Sequence, residues 1–426
     1  MNSILKVADN YKIDESIDDY ETYSFYPITG TQLNNPGSIT ITVQNSDNFY
    51  HPANSWLEFE GQIKKATTGA FAATDMITFT NNGIMHLFDN IKYLLSSTEI
   101  ESVFNPGTVS NIIGLAKYSN DFKAGLIQCW APDESDAAAT TNEGFKRRQT
   151  FFVAKSDPIG SFRIAVPLKH IFGFADDYNK VLYGFVHTLV LNRSSSDKNA
   201  LFKVSTMTDE GKVHLENIRW MLPRVSASDV VKYELLKQIQ SEKILNVGFR
   251  MRQSISTTVP ESNQFEWRLG VRSSPEKPRY IFLVFQTKRA EDQKKNMSTY
   301  DHCSLTSAHV LLNNDRYPLN DFETDFKKNH YDHLFHEFSS FIPKYYKVDE
   351  MIASTVVDPL SYKTLFPIFM FDVSKQSDRL KTGVTDITLK CHFSTNVPEG
   401  TVAHVVMISD RKLRFKTDGE KATVLF

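Results

Sequence analysis

Residues able to do chemistry are densest in Asn329-His-Tyr-Asp-His-Leu-Phe-His336. Imidazole is a common zinc ligand and a common general base, so this cluster poses the question of a metal centre or a hydrolytic site. On a helix, His330, His333 and His336 step by three and drift around the cylinder, so they do not converge on one face. The order is not His-Glu-x-x-His, and Glu337 does not stand where that motif places its base. Solvated or loosely packed histidines are the expectation, with metal binding as the alternative.

Other candidates are sparser. There is no Gly-rich loop ending in Gly-Lys-Ser/Thr, no Gly-x-Gly-x-x-Gly after a strand, and no Gly-x-Ser-x-Gly elbow. Asp176-Asp177, after Phe172-Gly-Phe174, could bind a cation, but a polar turn between strands is the plainer reading. Lys146-Arg147-Arg148, Lys288-Arg289 and Lys294-Lys295 form basic clusters in expected loops, as solvated patches or as contacts for phosphate or an acidic neighbour such as the N-terminal segment. Cys129, Cys303 and Cys391 form no Cys-x-x-Cys pair, and Cys391 lies in phase with Ile387, Leu389 and Phe393 as a small core residue. The sparse cysteines suit a reducing compartment. No catalytic, cofactor-binding or metal-binding residue is assigned, no cofactor is expected, and the chain reads as a non-enzyme.

Composition narrows the class. A chain of 426 residues exceeds one ordinary domain and suits two. Its aromatic excess, with 31 Phe and 17 Tyr, favours pleated, half-buried surfaces. A formal net charge of -2 argues against a protein devoted to gripping phosphate backbones. No signal peptide and no run of apolar residues long enough for a membrane helix is visible, so a soluble, non-secreted chain is expected.

The elements that must position these residues are strands. Ile39, Ile41 and Val43 alternate with threonines in Ser38–Gln44; Leu57, Phe59 and Ile63 alternate with Glu58, Glu60 and Gln62 in Trp56–Ile63. Further strands are expected at Met76–Phe79, Ile91–Leu95, Phe162–Leu168, Leu182–Leu191 and Val213–Met221. They resume at Ile244–Ile255, Phe265–Val271, Tyr280–Gln286, His309–Leu312, Leu365–Phe371, Ile387–Phe393 and Val402–Ile408. Tyr280–Phe285 is apolar on both faces and should be a central strand. Val231, Leu235 and Ile239 give Ser228–Ile239 a helical stripe near mid-chain, and Phe322–Phe338 is a second helical candidate. Asp133–Gly144 reads as an exposed flexible loop.

A pattern recurs between the halves. Phe162–Leu168, with Pro167, precedes His187–Arg193; Thr364–Phe371, with Pro367, precedes Ile387–Phe393 at a similar interval. The expected organisation is an N-terminal arm over 1–35, a first sandwich over 36–226, a connecting helix over 227–243 and a second sandwich over 244–426. The arm interleaves acids with Tyr11, Tyr20, Tyr23, Phe25 and Tyr26, which suits docking on a neighbour.

The order of these segments resembles the double jelly-roll major capsid proteins of Polinton (Maverick) elements and adintoviruses. The resemblance rests on Pro36–Val43 with Phe49–Phe59, Asn82–Ile91, Gly144–Arg148, Ile159–Ile164 with Val186–Arg193, Val213–Val225 before the helix at Ser228, and Pro278–Phe285 with Asp301–Pro318. His51-Pro52 replaces the family's acidic turn. The resemblance implies an all-β chain of two tandem eight-stranded jelly-roll sandwiches, with a short connecting helix and a few loop helices. It implies homotrimers that look hexagonal, tile an icosahedral shell and contact neighbouring capsomers, penton and minor capsid proteins, without membrane insertion or sequence-specific nucleic-acid binding. The implied location is the virion of a double-stranded DNA virus or virus-like element, assembled inside the host cell. The alternatives are a minor structural protein of such a particle, a β-sandwich carbohydrate-binding module, and a hydrolase using the histidine cluster.

Overall fold

The computed structural model describes residues 16–119, 122, 125–241, 244–272, 276–349, 355–377, 380, 383–417 and 422–425. Strands β1 (Ile17–Phe25), β2 (Gly37–Val43), β3 (Phe49–Tyr50), β4 (Trp56–Lys65), β5 (Ile77–Phe79) and β6 (Phe88–Leu95) open the first half. They are followed by β7 (Thr98–Phe104), β8 (Ser161–Pro167), β9 (His187–Arg193), β10 (Leu201–Lys203) and β11 (Gly211–Ala227). The alternation of the sequence becomes burial: Ile39, Ile41 and Val43 face inward from β2 while Thr40 and Thr42 stay half-exposed.

One sheet runs β1-β11-β4-β8, with β3 also on β11; the other runs β2-β9-β6-β7. The remaining strands, β5 and β10, pair only with each other. The eight strands of the two main paths, numbered along the chain, stack as 1-8-3-6 over 2-7-4-5. That is a jelly roll.

The second half repeats it. Its strands are β12 (Leu245–Thr258), β13 (Gln264–Arg272), β14 (Lys277–Thr287), β15 (Leu305–Leu312), β16 (Asp315–Tyr317), β17 (Phe369–Asp372), β18 (Thr385–Phe393), β19 (Thr401–Thr417) and β20 (Ala422–Leu425). The sheets run β12-β19-β14-β17 and β13-β18-β15-β16, again 1-8-3-6 over 2-7-4-5, with β20 added on β19. β14 is central, between β19 and β17, and Tyr280–Phe285 is buried throughout, as its two-faced apolar run requires.

The repeat seen in the sequence is thus a repeat of equivalent strands. Phe162–Leu168 overlaps the sixth strand of the first roll, and Thr364–Phe371 overlaps the sixth strand of the second. His187–Arg193 and Ile387–Phe393 lie in the two seventh strands. The prolines are not equivalent: Pro167 closes β8, whereas Pro367 stands before β17. Both avoid the interior of the ladder, where a missing N–H costs a hydrogen bond.

Helices occupy the connections: α1 (Pro106–Lys117), α2 (Glu143–Gln149), α3 (Leu168–Ile171), α4 (Gly173–Asp177), α5 (Asp229–Gln240), α6 (Asp332–Ser339), α7 (Phe341–Tyr346) and α8 (Pro359–Thr364). The mid-chain helix is α5.

Two expectations are corrected. Residues 1–15 of the expected arm lie outside the described residues, but Ile17–Phe25 is the first strand of the first roll, hydrogen-bonded along β11. It escaped notice because an edge strand with both faces largely wet needs no apolar alternation, and no side chain of β1 is fully buried. The helical stripe from Phe322 is the other: only Asp332–Ser339 is helical there. Asp325 and His330 bridge in a turn, with the Asp325 carboxylate accepting from the amides of Lys327 and Lys328. Phe326 stacks on His302 and Tyr331 instead of on a helical neighbour.

Candidate functional site

The histidine cluster does not assemble. His330, His333 and His336 are all exposed, and His333 lies 3.7 Å from the exposed Asp332. Among the described residues no group of three His, Cys, Asp or Glu side chains could hold a metal ion. The contiguous Asp301-His302-Cys303 is also spent on structure. Asp301 pairs with Arg289, His302 Nδ1 accepts from the Ser304 amide, and burial pushes the Cys303 thiol up to about 12. No Trp is exposed: Trp130 and Trp220 are buried and Trp56 and Trp267 are half-buried, so no indole platform for sugar stacking stands free.

The site that the chain does build is the seam between its rolls. Asp176 and Asp177 end α4, which follows the sixth strand of the first roll, and face the first strand of the second roll, β12. The Asp177 carboxylate accepts from the Arg250 amide at 2.8 Å and from its Nε at 2.9 Å, and also from its Nη2. Asp176 accepts from Arg252 Nη2 at 3.0 Å, Lys117 Nζ at 2.7 Å and the Tyr346 hydroxyl at 2.8 Å. Burial alone would raise the Asp176 carboxyl, but Arg252 and Lys117 hold it below its ordinary value. Arg252 is buried and also donates to the carbonyl of His170 at 2.8 Å.

Glu101, buried on β7, completes the seam. Its carboxylate accepts from the amides of Gly173 at 3.1 Å, Phe174 at 2.8 Å and Arg252 at 2.8 Å. Burial outweighs these donors and pushes its carboxyl up to about 7. Gly173 is a point of close approach between the rolls: a Cβ there would sit 1.8 Å from the Arg250 carbonyl oxygen. The guanidinium of Arg250 lies over the Tyr345 ring at 3.4 Å and donates to the Tyr345 carbonyl at 2.7 Å.

A second patch locks the seam further along. Arg148 is wholly buried on α2, its Nη2 donating to both carboxylate oxygens of Asp133 at 2.8 and 2.9 Å, its Nε to the Phe79 carbonyl and its Nη1 to the Ala131 carbonyl. Asn296, from the second roll, donates to the same Asp133 at 2.9 Å. Arg289 reaches Asp136 at 2.7 Å and Asp301 at 2.6 Å. The expected cation site or polar turn at Asp176-Asp177 is therefore corrected, and so is the expected solvated patch at Arg148, while Lys146 and Arg147 are exposed as expected. The corrected residues are partners in buried ion pairs, since a charge inside protein persists only when paired. Arg289 likewise finds an acidic partner, in Asp136. Asp133–Gly144 is anchored by buried Asp133 and Asn142, not free along its length. Lys288 remains exposed and pairs with Glu399, and Lys294 and Lys295 stay exposed.

Sequence reasoning missed Glu101, Arg250 and Arg252. The arginines share one parity on a strand whose other parity is Val247, Phe249 and Met251, which reads as an ordinary wet face. The one available signal was the pairing of that arginine doublet with the aspartate doublet.

Comparison with known proteins agrees with the topology. The family model described as "Double jelly roll-like domain" matches residues 77–413. The chain belongs to this double jelly roll-like family. No curated protein matches the sequence. Among solved structures, this double jelly-roll chain is similar to the Sputnik virophage structure from cryo-EM, with a TM-score of 0.61 and 8% identity over 100% of this chain and 92% of that one. PBCV-1 VP54, fitted into a reconstruction of the virophage Sputnik, gives 0.57 and 9% identity over 98% and 99%. The mavirus major capsid protein gives 0.55 and 12% identity over 100% and 93%. At such identities the likeness establishes the fold.

Proposed function

We propose that this double jelly-roll chain is the major capsid protein of a double-stranded DNA virus or virus-like mobile element. Three copies form a capsomer with a near-hexagonal outline, and capsomers tile an icosahedral shell in the virion with penton and minor capsid proteins. The observation that carries this reading is the buried seam between two rolls of identical strand order. It makes one chain a rigid two-block tile, with the rolls (17–227 and 245–425) as its domains. The solved capsid proteins of similar fold support the same reading.

The physics suits assembly. Buried ion pairs add little net stability over apolar packing but specify one geometry, since any other leaves a charge unpaired. A tile whose two wedges hold a set angle lets a head-to-tail ring close. Among the described residues of the seam the carboxylates and guanidinium groups are engaged with one another, and the role proposed is structural. The test is solution mass by light scattering together with negative-stain images: trimers of hexagonal outline are expected, and a monodisperse monomer at micromolar concentration overturns the reading.

A further inference from the structure

Helix α1 spans two parts of the seam. Its last residue, Lys117, reaches Asp176 among the ion pairs, and its first turn opens on a cavity of about 370 Å³. At about 1.5 Å per residue, the twelve residues of α1 set these two parts about 18 Å apart. Roll one lines the cavity with His86 and Gly107, and roll two lines it with Ser256, Gln286 and His404. His404 stands on β19 opposite Ser256 of β12.

The two imidazoles, one from each roll, are poorly placed to carry charge. His86 Nε2 and His404 Nδ1 are sealed from solvent and have no hydrogen-bond partner. A neutral ring can keep its single N–H on the other nitrogen and leave a bare lone pair at the sealed position. Protonation puts an N–H there with nothing to accept it.

The surroundings also oppose a positive ring. His86 lies against the start of α1, where a Cβ on Gly107 would be 2.5 Å from its Cγ and Nδ1. That helix end carries partial positive charge, and Asn105 supplies no side-chain cap to offset it. Burial lowers both histidines to about 4, and His404 adds to the lowering of His86. The other charged residues of the cavity wall are Asp89, Lys288 and Arg289. Asp89 is exposed and offsets neither shift. Lys288 pairs with Glu399, and Arg289 with Asp136 and Asp301.

The ion-pair end answers acid differently. Arg252 and Lys117 hold the Asp176 carboxyl below its ordinary value, so it keeps its charge. Glu101, raised to about 7, is favoured in the fold by acid. His170 has both ring nitrogens hydrogen-bonded inside roll one, to Tyr118 and Asn82, so parting the rolls does not free it.

We propose that His86 and His404 form an acid-sensitive latch: as pH falls both rings take up protons, and the rolls part at the cavity while the ion pairs hold the other end of the seam. A tile with this latch keeps its angle at neutral pH and releases it in an acidic compartment. The latch lies within one chain and does not depend on trimer formation. Each histidine that returns from about 4 to its ordinary 6.5 on opening multiplies the open fraction roughly tenfold per pH unit between those values.

Methionine oxidation by hydrogen peroxide tests this on the full chain, with free methionine as the rate standard and peptide mass spectrometry as the readout. Met297 lines the cavity and is 7% exposed, whereas Met251 stands between Arg250 and Arg252 and is 2% exposed. From about pH 7.5 to about pH 5 the Met297 rate is expected to rise at least ~30-fold, while the Met251 rate changes less than ~3-fold. His404→Gln is expected to cut that rise at least ~5-fold, and His86→Gln/His404→Gln to abolish it, with circular dichroism at neutral pH as the check on folding. An unchanged Met297 rate, equal acceleration at both methionines, or a full rise in a folded variant overturns the latch. If the variants fail to fold, the contrast between the two methionines in the wild type decides.

Discussion

The two rolls share a strand order yet differ at their first strands. β12 is pressed against roll one, with the amides of Arg250 and Arg252 capped by the carboxylates of Asp177 and Glu101. β1 presents its outer edge with exposed Ile17, Tyr20 and Tyr26 nearby. Topology was duplicated, but surface chemistry was not. An exposed strand edge is an invitation to pair, so each roll must either cover its edge or use it. Roll two covers its edge from within the chain, whereas β1 pairs with β11 alone among the described strands.

If the seam depends on its buried charges, removing one partner should hurt most. Arg252→Ala removes the buried guanidinium from Asp176, which keeps Lys117 and Tyr346, and takes the nearby positive charge from Glu101, which keeps the residue-252 amide. An expected loss of ~3–5 kcal/mol follows from leaving buried charge undercompensated. Denaturant unfolding measures it, and a loss below ~1 kcal/mol would break the contrast between a buried and a wet edge.

Close approach supplies the next effect. Gly173→Ala forces the rolls apart at the Arg250 carbonyl and is expected to cost about 1–3 kcal/mol. Gly248→Ala, on the same strand but with its nearest neighbour 4.0 Å away, should change stability by less than ~0.5 kcal/mol in parallel melts. Equal losses at the two glycines would show that strand propensity, not the seam, sets the cost.

Acid sharpens the comparison further. Burial lowers His86 and His404 to about 4 and His170 to about 3, and these residues line the seam region. Their folded values are depressed, so the unfolded chain takes up protons first and stability falls as pH drops from about 6.5 towards 4. Glu101, raised to about 7 by burial, acts in the other direction, its contribution fading as pH rises through 4.5 to 7. Melting temperature against pH should therefore drop on the acid side, and His404→Gln should flatten that limb. An unchanged limb in the variant would remove His404 from the account.

The smallest effect belongs to the wet edge. Asp18→Lys/Asp19→Lys should move the unfolding midpoint of the dilute monomer by under ~0.5 kcal/mol, because exposed charges contribute little to folding. A larger loss would mean that β1 is held by more than its backbone ladder.

Much of the fold was legible. Period-two burial at Ile39, Ile41 and Val43, the two-faced apolar run Tyr280–Phe285 and the recurrence of the sixth and seventh strands all follow from local alternation, which the pleat turns directly into inside and outside. The seam was not legible, and β1 was read as an arm, because neither leaves an apolar stripe. Phe322–Phe338 misled in the other direction: its phenylalanines serve different neighbours, Phe322 near Phe371 and Phe326 on His302, so their spacing had no common face behind it.

By itself the sequence determined most of the central strands, which of their faces are dry, and that the design occurs twice, since these depend on neighbours one or two residues away. Only the tertiary structure decided which charges are solvated and which are locked. Asp176 and Arg252 stand 76 positions apart and Asp133 and Asn296 stand 163 apart. Whether an ion is surrounded by water or by its partner is a property of the space around it, and that space exists only once the two rolls have met.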